Sequence, residues 1–212
     1  MAPAIDLSLP TALILIDNQS AFTNPSTVSH WGASRSNPHY EANLKSLLST
    51  FRDARVSFST PLEVIHIFHS SDSPSSPLHP SHSAGGIRPL DFAVPAADGS
   101  EPIFWKNVNS SFIGTGLEAH LRQKGIRQII CAGLTTDHCV STTVRMAANL
   151  GVVDRFLDEG PVRFRPDGTR ENEGNLDAET VHKVSVASLD GEFGDVIGTE
   201  EVVEALKGIK KP

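Results

Sequence analysis

Two hydrophobic rhythms alternate along the chain. Short runs rich in branched aliphatic residues read as strands: "TALILID" (11–17), buried on both faces and ending in an acid, "LEVIHIF" (62–68), "PIFWK" (102–106) and "RQIICAGL" (127–134). A poorer run, "VVDRFLD" (152–158), is interrupted by Asp154 and Arg155 and fits a short or edge strand, and "DVIGT" (195–199) is a last short one. Between these runs apolar residues recur at helical spacing. Leu44, Leu47, Leu48 and Phe51 mark a helix over 38–56 that Pro38 can start, and 114–125 is a helix closed by Gly125. Further helices are predicted over 138–150, over 177–191 with Asp177 as cap, and over 199–208 with Thr199 as cap. Two stretches break both rhythms. Residues 70–100 hold Pro, Ser and Gly turn clusters and read as a long loop, of a length that is often functional, and 160–176 reads as a second loop.

The order β-α-β-loop-β-α-β-α-β-α-β-α predicts an α/β fold. Its form is a three-layer α/β/α sandwich, Rossmann-like, with a mostly parallel six-stranded sheet and helices on both faces. In such sheets ligands bind beyond the carboxyl ends of the strands. Asp17, Lys106 and the segment leading to Cys139 all fall at or just past such ends. The topology therefore predicts that they converge on one rim.

Composition narrows the partners. The chain has 212 residues, 39% of them hydrophobic, which suits a single domain (1–212) around one core. A net charge of −7 and a pI near 5.7 argue against a nucleic-acid or anionic-membrane partner, both of which select for a basic face. The only cysteines, Cys131 and Cys139, make no disulfide framework. "MAPAIDLSLP" lacks a basic leader region and "ALILI" is too short for a signal core, so a soluble cytoplasmic protein is expected. "GLTTDH" after the strand 127–134 lacks the glycine spacing of a dinucleotide fingerprint, so no nucleotide cofactor is expected.

The chemistry centres on "GLTTDHCVSTTVRMAANLG" (133–151), in which small polar residues precede Cys139 and a helical rhythm follows it. A thiol is a nucleophile as thiolate, and its pKa falls at a helix N-terminus or beside a cation. The helix would supply the first influence and Lys106 the second. Asp17 has the chemistry to accept the thiol proton and return it to a leaving group. Backbone N–H groups of the turn 133–138, with that of Cys139, would surround a developing oxyanion. Each residue also has a plain structural reading: Cys as a small buried apolar residue, which is how mid-strand Cys131 is read, Asp as a turn residue, Lys as a solvated charge. Their shared rim is what joins them.

"LILIDNQ", "WKNVNSSFIGTGLEAHLRQKGI" and "IICAGLTTDHCVSTTVRMAANLG" resemble the isochorismatase-like cysteine hydrolases, the group of nicotinamidases, carbamoylsarcosine amidases and isochorismatases. The likeness runs in order from about residue 11 to 151, and "VHKVSVASLDGEF" continues it more weakly. The resemblance implies a catalytic triad of Asp17, Lys106 and Cys139, and a cis peptide at Leu134–Thr135 that aims the Thr135 N–H, with that of Cys139, at the substrate oxygen. It makes Gln19 a residue that orients the site. Gln19, Phe22, Phe112 and Leu134 are the candidate substrate-binding residues, with Trp31, in a loop, a lid or subunit contact. It also implies a small-molecule substrate and homo-oligomers, dimers or tetramers.

The departures from the group's patterns bear on the reaction. Nicotinamidases hold a metal through Asp-x-His and further His residues. Here His66, His69, His79 and His82 occupy that region without Asp-x-His, and residues three apart on a strand point to opposite faces, so no metal is expected. The leading expectation is thiolate hydrolysis of an amide or ureide C–N bond. The alternative is vinyl-ether hydrolysis of isochorismate with Asp17 as acid, which calls for cations in the pocket, Arg88 and Arg145 being the candidates. A catalytically silent binding protein on the same fold is a third reading.

Overall fold

The structure, a computed structural model, describes residues 5–32, 34–153, 155–159, 164–165 and 177–208, the strands within 155–165 by their backbone pairing alone. The predicted loop 160–176 lies mostly outside these residues, as does Asp154. In chain order the elements are β1 (Thr11–Ile16), β2 (Ser34–Arg35), α1 (Tyr40–Ser57), β3 (Leu62–His69), β4 (Ile103–Lys106), α2 (Leu117–Gln123) and β5 (Gln128–Gly133). There follow α3 (Ser141–Leu150), β6 (Arg155–Glu159), β7 (Phe164–Arg165), α4 (Ala178–Ala187), β8 (Asp195–Ile197) and α5 (Thr199–Lys207).

Six strands form one sheet in the order β4-β3-β1-β5-β6-β8, every neighbouring pair parallel. β1 and β5 lie at its centre and every one of their residues is buried. Alternation along the strands divides the core in two. Leu13 and Leu15 of β1, Val64 of β3 and Ile130 of β5 pack with Leu44, Leu47 and Phe51 of α1 and Val202 and Leu206 of α5. Ala12, Ile14 and Ile16, with Ile65, Ile67 and Ile129, pack with Leu117 and Leu121 of α2 and Val144 and Ala147 of α3. This is the predicted α/β/α sandwich. β4 is an edge, so Ile103 and Trp105 stay half exposed while Lys106 turns inward.

Several boundaries move, each for a local reason. The helix predicted over 114–125 is confined to Leu117–Gln123, because the preceding residues form turns in which the Ser111 N–H and hydroxyl bond Thr143 Oγ1 of α3 at 3.0 and 2.9 Å. Asp177 caps α4 as expected, accepting from Thr180 N at 2.7 Å. Thr199 does not cap α5: Gly198 holds the cap position and Thr199 is the first helical residue. β2 and β7 form a two-stranded antiparallel ribbon that no run of apolar residues had marked.

The long loop 70–100 is built onto the core. Leu78, Leu90 and Ala93 are buried in it. Its return strand bonds the segment after β1 through Ser20 N to Arg88 O (2.8 Å), Ala21 N to Gly86 O (2.9 Å) and Leu90 N to Asn18 O (2.9 Å). Gly86 permits this approach, since a Cβ there would lie 2.6 Å from Pro77 O and 2.7 Å from Ala21 Cβ.

Candidate active site

After β1 the chain builds β3 and β4 on one side of it, then crosses to β5 on the other, so the carboxyl ends of β1 and β5 flank the reversal point. Gly133 closes β5 opposite Ile16, where a Cβ would fall 2.1 Å from Ile16 O; only glycine lets the two backbones meet. On the β1 side Asp17 takes φ = 52°, a left-handed conformation that short polar residues tolerate best. Its N–H donates to Ile67 O at 2.9 Å, which ties the turn to β3.

Lys106 ends β4, two strands from β1, and its long stem spans the carboxyl end of β3. Its Nζ donates to Asp17 Oδ2 at 2.7 Å, and both side chains are buried. The same ammonium lies 3.2 Å from His69 Nδ1, 3.2 Å from Val108 O and 3.3 Å from Cys139 Sγ. Among the described residues Asp17 Oδ1, equally buried, has no hydrogen-bond partner.

Cys139 comes from the β5 side. A cis peptide joins Leu134 to Thr135, and Thr136–Val140 form a single π-type turn that runs into α3. The N–H groups of His138 and Val140 both return to Thr135 O at 3.2 Å, and Thr136 Oγ1 meets His182 Nδ1 of α4 at 2.9 Å. Cys139 therefore sits inside a wide turn, two residues before α3, and not at the first position of a helix. This alters its electrostatics. Burial, and next the charge of Asp17, push the Cys139 thiol above its ordinary value, with Lys106 pulling the other way and outweighed. The expectation of a lowered pKa is corrected: burial and the Asp17 charge raise it instead.

Burial pulls Lys106 down, but the Asp17 carboxylate beside it holds it above its usual value, as an ammonium. Burial, then the Lys106 charge, lowers His69. A neutral ring that accepts from Lys106 at Nδ1 carries its proton on Nε2. Asp17, His69 and Cys139 also offer oxygen, nitrogen and sulfur ligand atoms within 4.8 Å of one another, a donor set that suits zinc. Lys106 Nζ already lies 2.7–3.3 Å from an atom of each. A metal bound to all three would have to displace a buried ammonium.

A cavity of about 160 Å³ opens over this cluster. Asp17, Thr135 and Cys139 line its reactive end; Phe22, Trp31 and Leu78 supply apolar wall; His30, His69, Asn109 and His138 add polar groups. The Phe22 and Trp31 rings lie 4.4 Å apart, centroid to centroid.

The model of the isochorismatase domain matches residues 11–201. The chain belongs to the isochorismatase family. It is 37% identical over 193 residues to YrdC, an uncharacterised isochorismatase-family protein of Bacillus subtilis, covering 91% of this chain and 94% of that one. A Chromobacterium violaceum protein of the isochorismatase family superposes with a TM-score of 0.81 at 36% identity, covering 99% of this chain and all of the other. A shorter stretch, 120 residues or 57% of this chain and 40% of the relative, is 33% identical to N-carbamoylsarcosine amidase of Arthrobacter.

Within this isochorismatase-family site the predicted residues separate. Asp17, Lys106 and Cys139 meet, and Thr135 and Phe22 reach the cavity with them. Gln19 does not line it. Its Nε2 donates to the carbonyls of His69 (2.9 Å) and Ile87 (2.8 Å), and its Oε1 accepts from His69 N at 2.8 Å, so it braces the site from behind. Leu134 and Phe112 are buried in the two halves of the core and are not part of the cavity wall. Trp31 is part of it. The sequence marks His69 only as a possible metal ligand, and His30, Asn109 and His138 not at all. His69 stands at the carboxyl end of a strand, the same signal that marked Asp17 and Lys106. His66 points to the other face, bonded to Glu101, while His79 and His82 hold local turns with Ser81 and Ala84.

Proposed function

We propose that this isochorismatase-family protein hydrolyses a C–N bond of a small amide or ureide through a thioester on Cys139. The observation that carries the reading is the bridge of Lys106 Nζ between Asp17 Oδ2 and Cys139 Sγ, 2.7 and 3.3 Å away, at the end of a cavity and beside an unpartnered carboxylate oxygen. In the reaction Asp17 takes the thiol proton as sulfur attacks the carbonyl carbon, so the raised thiol is deprotonated only as it reacts. The Thr135 and Cys139 N–H groups receive the oxyanion. The C–N bond breaks as Asp17 returns the proton to the leaving nitrogen. Water then gives Asp17 a proton, its oxygen adds to the thioester carbonyl, and the C–S bond breaks to regenerate the thiol. The stretch similar to N-carbamoylsarcosine amidase supports a C–N bond as the one cut.

The vinyl-ether reading asked for Arg88 or Arg145 in the pocket. Arg88 turns back to Gly85 O, and Arg145 bonds Ser141 and Ser188 and stacks on Phe193. Among the described residues neither lines the cavity. The test is turnover by wild type and Cys139→Ala on a panel of small amides and ureas with isochorismate alongside. Amide turnover reduced about ten-thousandfold in the variant is expected. Amide turnover that survives Cys139→Ala would sink the thioester route, and isochorismate turnover that survives it would move the chemistry to Asp17.

A further inference from the structure

The Lys106 ammonium has three hydrogens and four acceptors: Asp17 Oδ2 at 2.7 Å, His69 Nδ1 at 3.2 Å, Val108 O at 3.2 Å and Cys139 Sγ at 3.3 Å. Asp17 takes one by its short, charge-assisted bond, and the Val108 carbonyl is fixed in the backbone. The remaining hydrogen is contested between His69 and the sulfur. A thiol or thioester sulfur is a weak acceptor, and a thiolate is a strong one. We propose that His69 is a positioning residue whose Nδ1 accepts the third Lys106 hydrogen whenever the Cys139 sulfur is uncharged, and yields it to the sulfur when the thiolate forms. This rests on the hydrolase reading above, in that it gives His69 work in the same cycle.

The surroundings fit that exchange. Lys106 is buried, so a hydrogen without an acceptor would be costly. His69 is fixed through its backbone, whose N–H and carbonyl are both held by the Gln19 side chain, so the ring is offered to the lysine independently of substrate. Burial and the neighbouring ammonium outweigh the Asp17 and Asp72 carboxylates and lower the ring's pKa, which favours the form able to accept. Without this acceptor the thiol state holds an unsatisfied buried N–H that the thiolate state does not, so losing His69 favours the thiolate. A merely structural histidine would not shift sulfur titration in that direction.

The experiment is the pH dependence of Cys139 alkylation by iodoacetamide, located by peptide mass spectrometry, in wild type and in His69→Phe, His69→Gln and His69→Asn. Asn can put an amide oxygen where Nδ1 stands, whereas Gln matches Nε2. His69→Phe and His69→Gln are expected to move the alkylation midpoint toward acid and to react about tenfold faster at neutral pH, with His69→Asn close to wild type. Should His69→Phe fail to fold, the Gln and Asn pair carries the same contrast. Unchanged or alkaline-shifted midpoints in Phe and Gln, or an Asn variant that behaves like them, overturn the proposal. Alkylation needs no substrate, so a failed amide panel leaves this test intact. Conversely, Cys139-dependent turnover with unmoved alkylation profiles would overturn the His69 role alone.

Discussion

Two buried carboxylates, each held by a cation and each beside a histidine of β3, show how one fold uses the same chemistry for opposite ends. Glu101 is saturated. Arg52 holds it with Nε to Oε1 and Nη2 to Oε2, both at 2.7 Å, and His66 Nε2 (2.9 Å) and Ala96 N (3.0 Å) also reach Oε2. Among the described residues Asp17 has the Lys106 ammonium on Oδ2 and no hydrogen-bond partner on Oδ1. Glu101 is not part of the cavity wall and fastens the end of the long loop to α1 and β3. Asp17 faces the cavity with a lone pair unspent. A saturated buried carboxylate clamps; one left half-satisfied beside a thiol can take a proton.

The sharpest way to break this comparison is Lys106→Met. It removes the ammonium that bonds Asp17 Oδ2 and lies 3.3 Å from Cys139 Sγ, so amide turnover should fall about thousandfold, with KM changed far less, in steady-state kinetics. Turnover within tenfold of wild type would mean that Lys106 serves structure alone. The matching variant on the other side, Glu101→Ala, strands Arg52 and unhooks the loop. Denaturant melts should show a loss of about 3 kcal/mol, while turnover per folded molecule stays near wild type. A Glu101→Ala protein that is stable but inactive would reverse the roles assigned to the two clusters.

Acid separates the clusters as well. The Arg52 and His66 bonds outweigh burial and hold Glu101 down to about 2, against an ordinary 4.5. A depressed carboxyl contributes stability that is complete above 4.5 and is lost as pH falls through 4.5 toward 2. His66 and His69 are lowered, His66 by burial despite Glu101, so the unfolded chain binds their protons first. Their contribution is complete above about 6.5 and declines below it. Chemical melts across pH should therefore show stability falling in two stages on the acid side. Glu101→Gln should flatten the lower stage and, by removing the carboxylate that opposes the lowering of His66, deepen the upper one; an unchanged lower stage would assign it to other carboxyls.

Much of this was legible in the chain because it is local. β1 and β5 are continuous apolar runs, the helices that cover them are periodic, and one topological rule put Asp17, Lys106 and Cys139 on a common rim. What escaped depends on distance in sequence. The raised Cys139 thiol comes from burial and from Asp17, 122 positions away, whereas the helix terminus that suggested a lowered one is a feature of nearby sequence. Gln19 follows Asp17 so closely that it looked like a substrate contact, yet its amide is consumed by backbone groups 50 and 68 positions on. Glu101 carried no motif, because a clamp needs only a carboxylate where Arg52 and His66 happen to converge.

The smallest effect concerns the cavity wall, and it turns on two aromatic residues, Phe112, expected to contact substrate, and Trp31, expected as a lid or subunit contact. Phe112 lies six positions past Lys106, but the turn after β4 carries it under the sheet, where it packs in the same cluster as Ile14, Leu117 and Val144. Trp31 lies in a segment without periodicity and ends up against Phe22 on the cavity, partly exposed. Truncating each to Ala should thus divide binding from stability. Phe112→Ala should cost about 3 kcal/mol in denaturant melts and leave KM within about twofold. Trp31→Ala removes apolar wall that a bound substrate would cover in ground and transition state alike, so KM should rise about tenfold with kcat little changed. If Trp31→Ala lowers kcat and leaves KM alone, the indole acts on the reacting atoms, and the cavity wall has a part in the chemistry as well as in the fit.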